Sequence, residues 1–104
     1  MDVEWLRFRV DDGYREQFVQ HDNAIWTAAL SRYPGFLGKE VWIDPNNDAE
    51  VITVIRWNSF EEWQAVPQSI LSETETTFSE AMGDTYELLE SRHFQARKFG
   101  EQSC

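Results

Sequence analysis

The stretch Glu50–Trp63, EVITVIRWNSFEEW, constrains the fold more than any other part of the chain. Val51, Ile52, Thr53, Val54 and Ile55 form a nearly unbroken β-branched run. Branching at Cβ restricts χ1 and suits a pleated backbone, so the run is expected to be a strand. Both faces of that strand are apolar, and an apolar face must be covered. The fold therefore has to supply two covers. At Asn58-Ser59 the pattern changes from strand to helix. Ser59 is placed to cap the helix, and Glu62, three residues on, completes a capping box.

The rest of the chain reads as elements around this strand. Val3–Val10 is expected to be the first strand, with Leu6, Phe8 and Val10 on one face and Val3, Trp5, Arg7 and Arg9 on the other. Asp11-Asp12-Gly13 ends it, and an Asp there can cap the following helix. That helix is expected over Tyr14–Tyr33, with Tyr14, Phe18, Ile25, Ala29 and Tyr33 in one stripe and Trp26 and Leu30 at its edge. Pro34-Gly35 stops it. Phe36–Asp44 is the second strand. Its alternation sets Leu37, Val41, Ile43 and the stem of Lys39 against Phe36, Glu40 and Trp42. The polar turn Pro45–Glu50 makes a hairpin with the third strand. Ser59–Val66 is a short helix, and Pro67 interrupts before a longer one over Gln68–Met82. Ile70, Leu71, Thr74, Phe78, Ala81 and Met82 are expected to face inward there. Thr85–Arg97 reads as the last strand, with Tyr86, Leu88 and Phe94 on one face and Leu89 and His93 on the other.

The order β-α-β-β-α-β predicts an α+β, ferredoxin-like fold with a four-stranded antiparallel sheet. Residues 1–98 are expected to form one domain and residues 99–104 a flexible tail. Helices cover only one face of such a sheet. The second cover is expected to be the same face of another subunit, in a C2 homodimer that closes a dimeric α+β barrel.

Composition narrows the function classes. The formal net charge is −10, and the nine Lys and Arg are scattered. Such a chain repels phosphate backbones and anionic lipid, so neither nucleic acid nor a membrane is an expected partner. The single Cys104 can form no internal disulfide. The start, MDVEWLRFRV, lacks the pattern of a secretion signal, and the longest apolar runs fall far short of the ~20 residues of a membrane span. A cytoplasmic protein is the expectation. There is no P-loop, Rossmann glycine fingerprint, HExxH or GxSxG. With two histidines, His21 and His93, and no paired cysteines, neither a metal nor a cofactor is expected.

HDNAIW, His21–Trp26, is the best local candidate for chemistry. Asp22 falls in the apolar stripe of the first helix, with His21 at its edge. A buried carboxylate needs a partner or a wet pocket. Asp22 beside His21 suits proton transfer; the structural alternative is an ion pair with Arg7, Arg9 or Arg56. Trp26, Trp57 and Trp63 can wall a cavity between sheet and helices, or fill a plain core. Glu40, beside Trp42, and Arg92, on the face of Tyr86, suit ion pairs or pocket groups. His93 fits a structural role better than a ligand role.

YPGF (Tyr33–Phe36), KEVW (Lys39–Trp42) and VIRWNSFEEWQAV (Val54–Val66) resemble the antibiotic biosynthesis monooxygenase-like domains of the dimeric α+β barrel superfamily. The resemblance spans about residues 3–97. It looks closest to a branch of small uncharacterised proteins known mainly from cyanobacteria. The proline-glycine step and the W-x-S-x-E-x-W pattern (Trp57, Ser59, Glu61, Trp63) carry it. The resemblance implies the barrel fold and admits several activities: cofactor-independent quinone-forming oxygenation, haem degradation, lactone isomerisation, or binding alone. In haem-degrading relatives a tryptophan ending the third strand works with an iron-ligating histidine on the next helix. Trp57 matches that tryptophan, but no histidine lies between Asn58 and Glu90, which counts against haem. In the monooxygenase relatives, aromatic, Asn and Arg side chains hold an aromatic substrate, and Trp26 and Trp57 suit such a wall.

Two functions follow as expectations. One is a cofactor-independent monooxygenase acting on a small aromatic or apolar metabolite. Trp26, Trp57 and Trp63 would hold the substrate, Asp22 would move a proton and His21 would assist. The other is a non-enzymatic small-molecule-binding or interaction module with the same dimeric fold. An open pocket would favour the first, and a closed core with Asp22 paired to an arginine the second.

Overall fold

The computed structural model describes residues 1–98. The expected tail, 99–104, and with it Cys104, lies outside the described residues. Four strands, β1 (Asp2–Val10), β2 (Phe36–Asp44), β3 (Asn47–Trp57) and β4 (Tyr86–Gln95), form one antiparallel sheet in the order β2-β3-β1-β4. Helix α1 (Arg15–His21) runs into a π-helical segment (Asp22–Thr27) and a last α-turn, α2 (Ala28–Leu30). Helices α3 (Phe60–Gln64) and α4 (Gln68–Met82) follow β3. This is the ferredoxin-like α+β arrangement expected from the element order. No helix among the described residues is long and apolar enough to cross a membrane.

The strand-to-helix switch forms as its residues dictate. Ser59 Oγ accepts from the backbone N–H of Glu62 at 3.1 Å, and Glu62 Oε1 meets both Ser59 Oγ and Asn58 Nδ2 at 3.0 Å. The proline-glycine turn is tied to the same point. Gly35 O accepts from the Asn58 backbone N–H at 2.7 Å. Gly35 has φ +89°, and a Cβ there would come within 2.5 Å of the Glu62 side chain. Only glycine allows both that backbone conformation and that approach.

Two bulges alter the expected alternation. In β2 the register shifts between Phe36 and Gly38. An extra residue in a strand reverses the facing of what lies beyond it. Phe36 therefore turns to the helix side, where its ring meets Trp57 at 5.7 Å, and shares that side with Lys39 and Val41. Leu37, expected on that side, is exposed, whereas Ile43 keeps it, opposite Val51, and is exposed because β2 is an edge strand. In β4, Leu88 and Glu90 pair with the consecutive residues Phe8 and Arg7, leaving Leu89 extra. Tyr86 then faces the helices and Phe94 the other side, against Trp5. His93, expected opposite Tyr86, lies on the helix side with Phe60 and Trp63. The expected carboxylate cap on the first helix is absent: Asp11 accepts from Arg9 instead, and the helix begins at Arg15. Ala81, expected inward on α4, is exposed.

The helix side of the sheet holds two packed clusters. At one end Val10, Phe18, Val51, Phe78 and Met82 are buried, with Phe8 and Tyr86 against them. At the other, Leu30, Ile55, Trp57 and Val66 are buried, with Trp26, Phe36 and Trp63 against them. Among the described residues no helix covers the opposite face. It carries Trp5, Trp42, Phe94 and the pairs Arg7–Glu90 and Arg56–Glu40.

Candidate functional site

Asp22 opens the π-helical segment. The i→i+5 bonding of a π turn widens the helix locally, and such turns concentrate at functional sites. Here Phe18, Asp22, Trp26 and Leu30, spaced four apart, all turn toward the sheet. Lys39 reaches up from β2, and its Nζ donates to Asp22 Oδ1 at 2.5 Å. Both side chains are 4% exposed. The ammonium also lies 6.0 Å from the Trp26 ring centroid. Removing one partner of such a pair would leave a buried charge uncompensated.

Beside this pair lies a cavity of about 790 Å³ between the sheet and the helix layer. That volume suits a small-molecule ligand. Trp26, Trp57 and Trp63 line it, with Leu6, Phe8 and Ile55 of the sheet. Three polar side-chain atoms on its lining residues are buried without a hydrogen-bond partner among the described residues: Asp22 Oδ2, Thr53 Oγ1 and Trp57 Nε1. Thr53 and Trp57 are each 1% exposed. A buried donor or acceptor left unpaired costs about 1–3 kcal/mol, so native proteins rarely leave several together. A ligand bearing both an acceptor and a donor would satisfy them.

Charge at the site is shaped by burial. Desolvation pushes the Asp22 carboxyl upward, against the opposing pull of Lys39. Desolvation likewise pushes Lys39 downward, against Asp22 and Glu4. Both shifts favour moving a proton from the ammonium toward the carboxylate. Glu4 lies in the same sheet row, since Lys39 pairs with Ile55 and Ile55 with Glu4. Its carboxyl is also raised by burial, with Lys39 opposing.

Asp22, Trp26, Trp57 and Trp63 all line the cavity; His21 does not. His21 ends α1, one residue before the widened turn, and a step of one residue points a side chain about 100° away. The partner of Asp22 is Lys39 rather than Arg7, Arg9 or Arg56. Those arginines project from the uncovered face, where Arg7 meets Glu90 and Arg56 meets Glu40. Arg92 lies over the Phe94 ring at 4.6 Å, not on the face of Tyr86. His93 Nε2 pairs with Asp2 Oδ1 at 2.7 Å, and its ring stacks on Phe60 at 4.7 Å. That hydrogen bond holds the Asp2 carboxyl below its usual range. Sequence reasoning missed Glu4 and the Lys39 ammonium. Each stood at an inward-facing strand position, and a charge there is itself the signal of a buried partner. Among the described residues no group of three His, Cys, Asp or Glu side chains is placed to hold a metal ion. A second, smaller pocket of about 240 Å³ lies between α2 and α4, lined by Ala29, Arg32, Tyr33 and Ile70. It contains none of the unpartnered atoms.

Comparison with known families assigns the chain. The model of the antibiotic biosynthesis monooxygenase family matches residues 3–96. The chain belongs to that family. A comparison with curated proteins finds no match. Among solved structures, SnoaB, a cofactor-independent oxygenase from Streptomyces nogalater, superposes with a TM-score of 0.68 at 16% identity, covering 94% of this chain and 95% of that one. The monooxygenase from the gene ActVA-Orf6 of Streptomyces coelicolor, solved with nanaomycin D, gives a TM-score of 0.73 at 14% identity, over 94% and 88%. HapK from Hahella chejuensis gives 0.71 at 16%, over 100% and 98%. At these identities the likeness is one of fold. The family is described as one of antibiotic biosynthesis monooxygenases, which favours oxygenation as the general kind of activity.

Proposed function

We propose that this family member is a cofactor-independent monooxygenase acting on a small hydroxylated or keto aromatic ring system. The observation that carries the reading is the tryptophan-lined cavity with Asp22 Oδ2 buried and unpartnered beside it. The tryptophans would hold the ring. Asp22 would accept a proton from an activated ring CH₂, and Lys39 would stabilise the carboxylate and return the proton later. The resulting carbanion would supply the electrons to O₂, giving a carbon-bound peroxide. Loss of water then leaves a carbonyl, so R₂CH₂ + O₂ becomes R₂C=O + H₂O. General acid–base groups of this kind contribute about 10²–10⁴-fold. Asp22→Asn keeps the shape and removes the base. Its turnover in an assay of quinol-type oxidation should fall by about that factor, with folding confirmed by circular dichroism. Unchanged turnover would remove Asp22 from the mechanism.

We further propose that two subunits pair through the uncovered sheet face. Trp42 is 46% and Phe94 39% exposed there, a costly arrangement in a monomer. Light scattering should give twice the chain mass. A non-enzymatic binding module is the second reading, favoured by the fact that Asp22 already has a cationic partner. It predicts ligand binding without turnover.

A further inference from the structure

The charges along the cavity are one-sided. Lys39 is the one cationic side chain among the described residues that line it, and Asp22 has already engaged it. Glu4 lines the same wall and, among the described residues, forms no ion pair, feeling only the field of the Lys39 that Asp22 holds. The next residue in its sheet row is His93, which pairs with Asp2. The inner cavity thus holds two carboxylates for one ammonium. Toward β4 the lining adds Glu75 and Asp84; the Glu87 carboxylate turns to the other face, against Arg9. Glu75 accepts from the Tyr86 hydroxyl, and among the described residues no cationic side chain lines this part of the cavity. Helix α4 ends at Met82 beside these groups, and its C-terminus adds negative potential.

Acidic groups alone would mark only a solvated surface. Here they surround a cavity whose walls also present a buried, unpartnered carboxylate oxygen, hydroxyl and indole N–H. Those atoms independently call for a ligand. The tryptophan faces that would hold a ring also attract cations through their quadrupoles.

We infer that the cavity selects a ring system carrying a protonated amine, which sits against Glu4, and rejects the same ring carrying a carboxylate. The inference rests on reading the cavity as a ligand site, but not on oxygenation. An anion would enter a space already holding an excess carboxylate, and like charges in a desolvated site repel strongly. An ammonium would restore neutrality.

Three probes of one shape test this: 1-naphthylmethylamine (cationic at pH 7), 1-naphthalenemethanol (neutral) and 1-naphthoate (anionic). Isothermal titration calorimetry of the intact protein with each should rank them in that order, with the amine about tenfold tighter than the alcohol. In Glu4→Gln the ratio of amine to alcohol affinity should fall toward one. The wild-type ranking needs no variant, so poor folding of Glu4→Gln cannot shield the inference. Naphthoate binding as tightly as the amine would overturn it, as would an unchanged ratio in a folded Glu4→Gln. If no probe bound, the ligand-site reading would fall and the inference with it. Alcohol binding without preference for the amine would sink the inference alone.

Discussion

The two ends of the helix–sheet layer are built from the same strands and helices and do opposite things. At one end Phe18 meets Phe8 at 5.0 Å, Phe78 at 5.2 Å and Tyr86 at 6.1 Å, a packed ring cluster of which Phe8 and Tyr86 also border the cavity. At the other, one helical step along, the equivalent position holds Asp22, and the wall carries Lys39, Glu4 and three unpartnered polar atoms around open volume. The filled end needs only hydrophobic burial. The open end costs desolvation and unmade hydrogen bonds, which a fold tolerates where a ligand will make them good. The difference separates what holds this protein together from what it is for.

Breaking each end in turn should expose that difference. Phe18→Ala removes a ring from the filled end and should cost about 3–5 kcal/mol in urea unfolding. Lys39→Met should cost a similar 3–5 kcal/mol, because it strands Asp22. The two should then diverge. Adding Asp22→Leu to Lys39→Met should recover most of the stability, since a buried ion pair replaced by apolar groups is often neutral or better. Turnover should stay lost. If the double variant were no more stable than the single, the pair would be a structural element like Phe18.

A smaller effect is expected at the cap that anchors the cavity wall. Ser59→Ala removes the acceptor for the Glu62 N–H and frees α3, which carries Trp63. Stability should fall by about 1 kcal/mol. Ligand affinity should fall as well if Trp63 is part of the wall, whereas a matching cap loss remote from the cavity would leave affinity alone.

The smallest effect concerns pH. The folded carboxyl of Glu4 is raised above its ordinary 4.5. The unfolded chain therefore releases this proton at lower pH than the folded one. Glu4 contributes no loss below pH 4.5, and its penalty grows as pH rises from there through the folded pKa. Stability measured across that window should decline less steeply in Glu4→Gln. An equal slope would mean that burial at Glu4 is not felt.

The sequence made the fold legible and the site half so. The β-branched run of β3 and the Ser59–Glu62 cap each have one local meaning, and both appear as read; the first helix ends at Leu30, three residues short of the Tyr33 expected from Pro34-Gly35. Facing was lost where an extra residue sits: Phe36 and His93 each lie past a bulge, and nothing in an alternating pattern announces one. Asp22 stood out because a carboxylate in an apolar stripe conflicts with burial. Its partner did not, because the aliphatic stem of Lys39 passes as apolar among Val41 and its neighbours. His21 was drawn in by adjacency along the chain, but neighbours on a helix point apart. The unpartnered hydroxyl of Thr53 and indole of Trp57 are properties of the assembled wall and have no signature in one strand.

The central claim is that the open end transfers one oxygen atom from O₂ to a ring held there. Anthrone, with one activated CH₂ opposite a carbonyl, can be incubated with the protein under ¹⁸O₂ and the product weighed by mass spectrometry. The account predicts anthraquinone with one ¹⁸O, formed faster than in buffer and slowed by about 10²-fold or more in Asp22→Asn. Oxidation no faster than in buffer, or anthraquinone without the label, would contradict it.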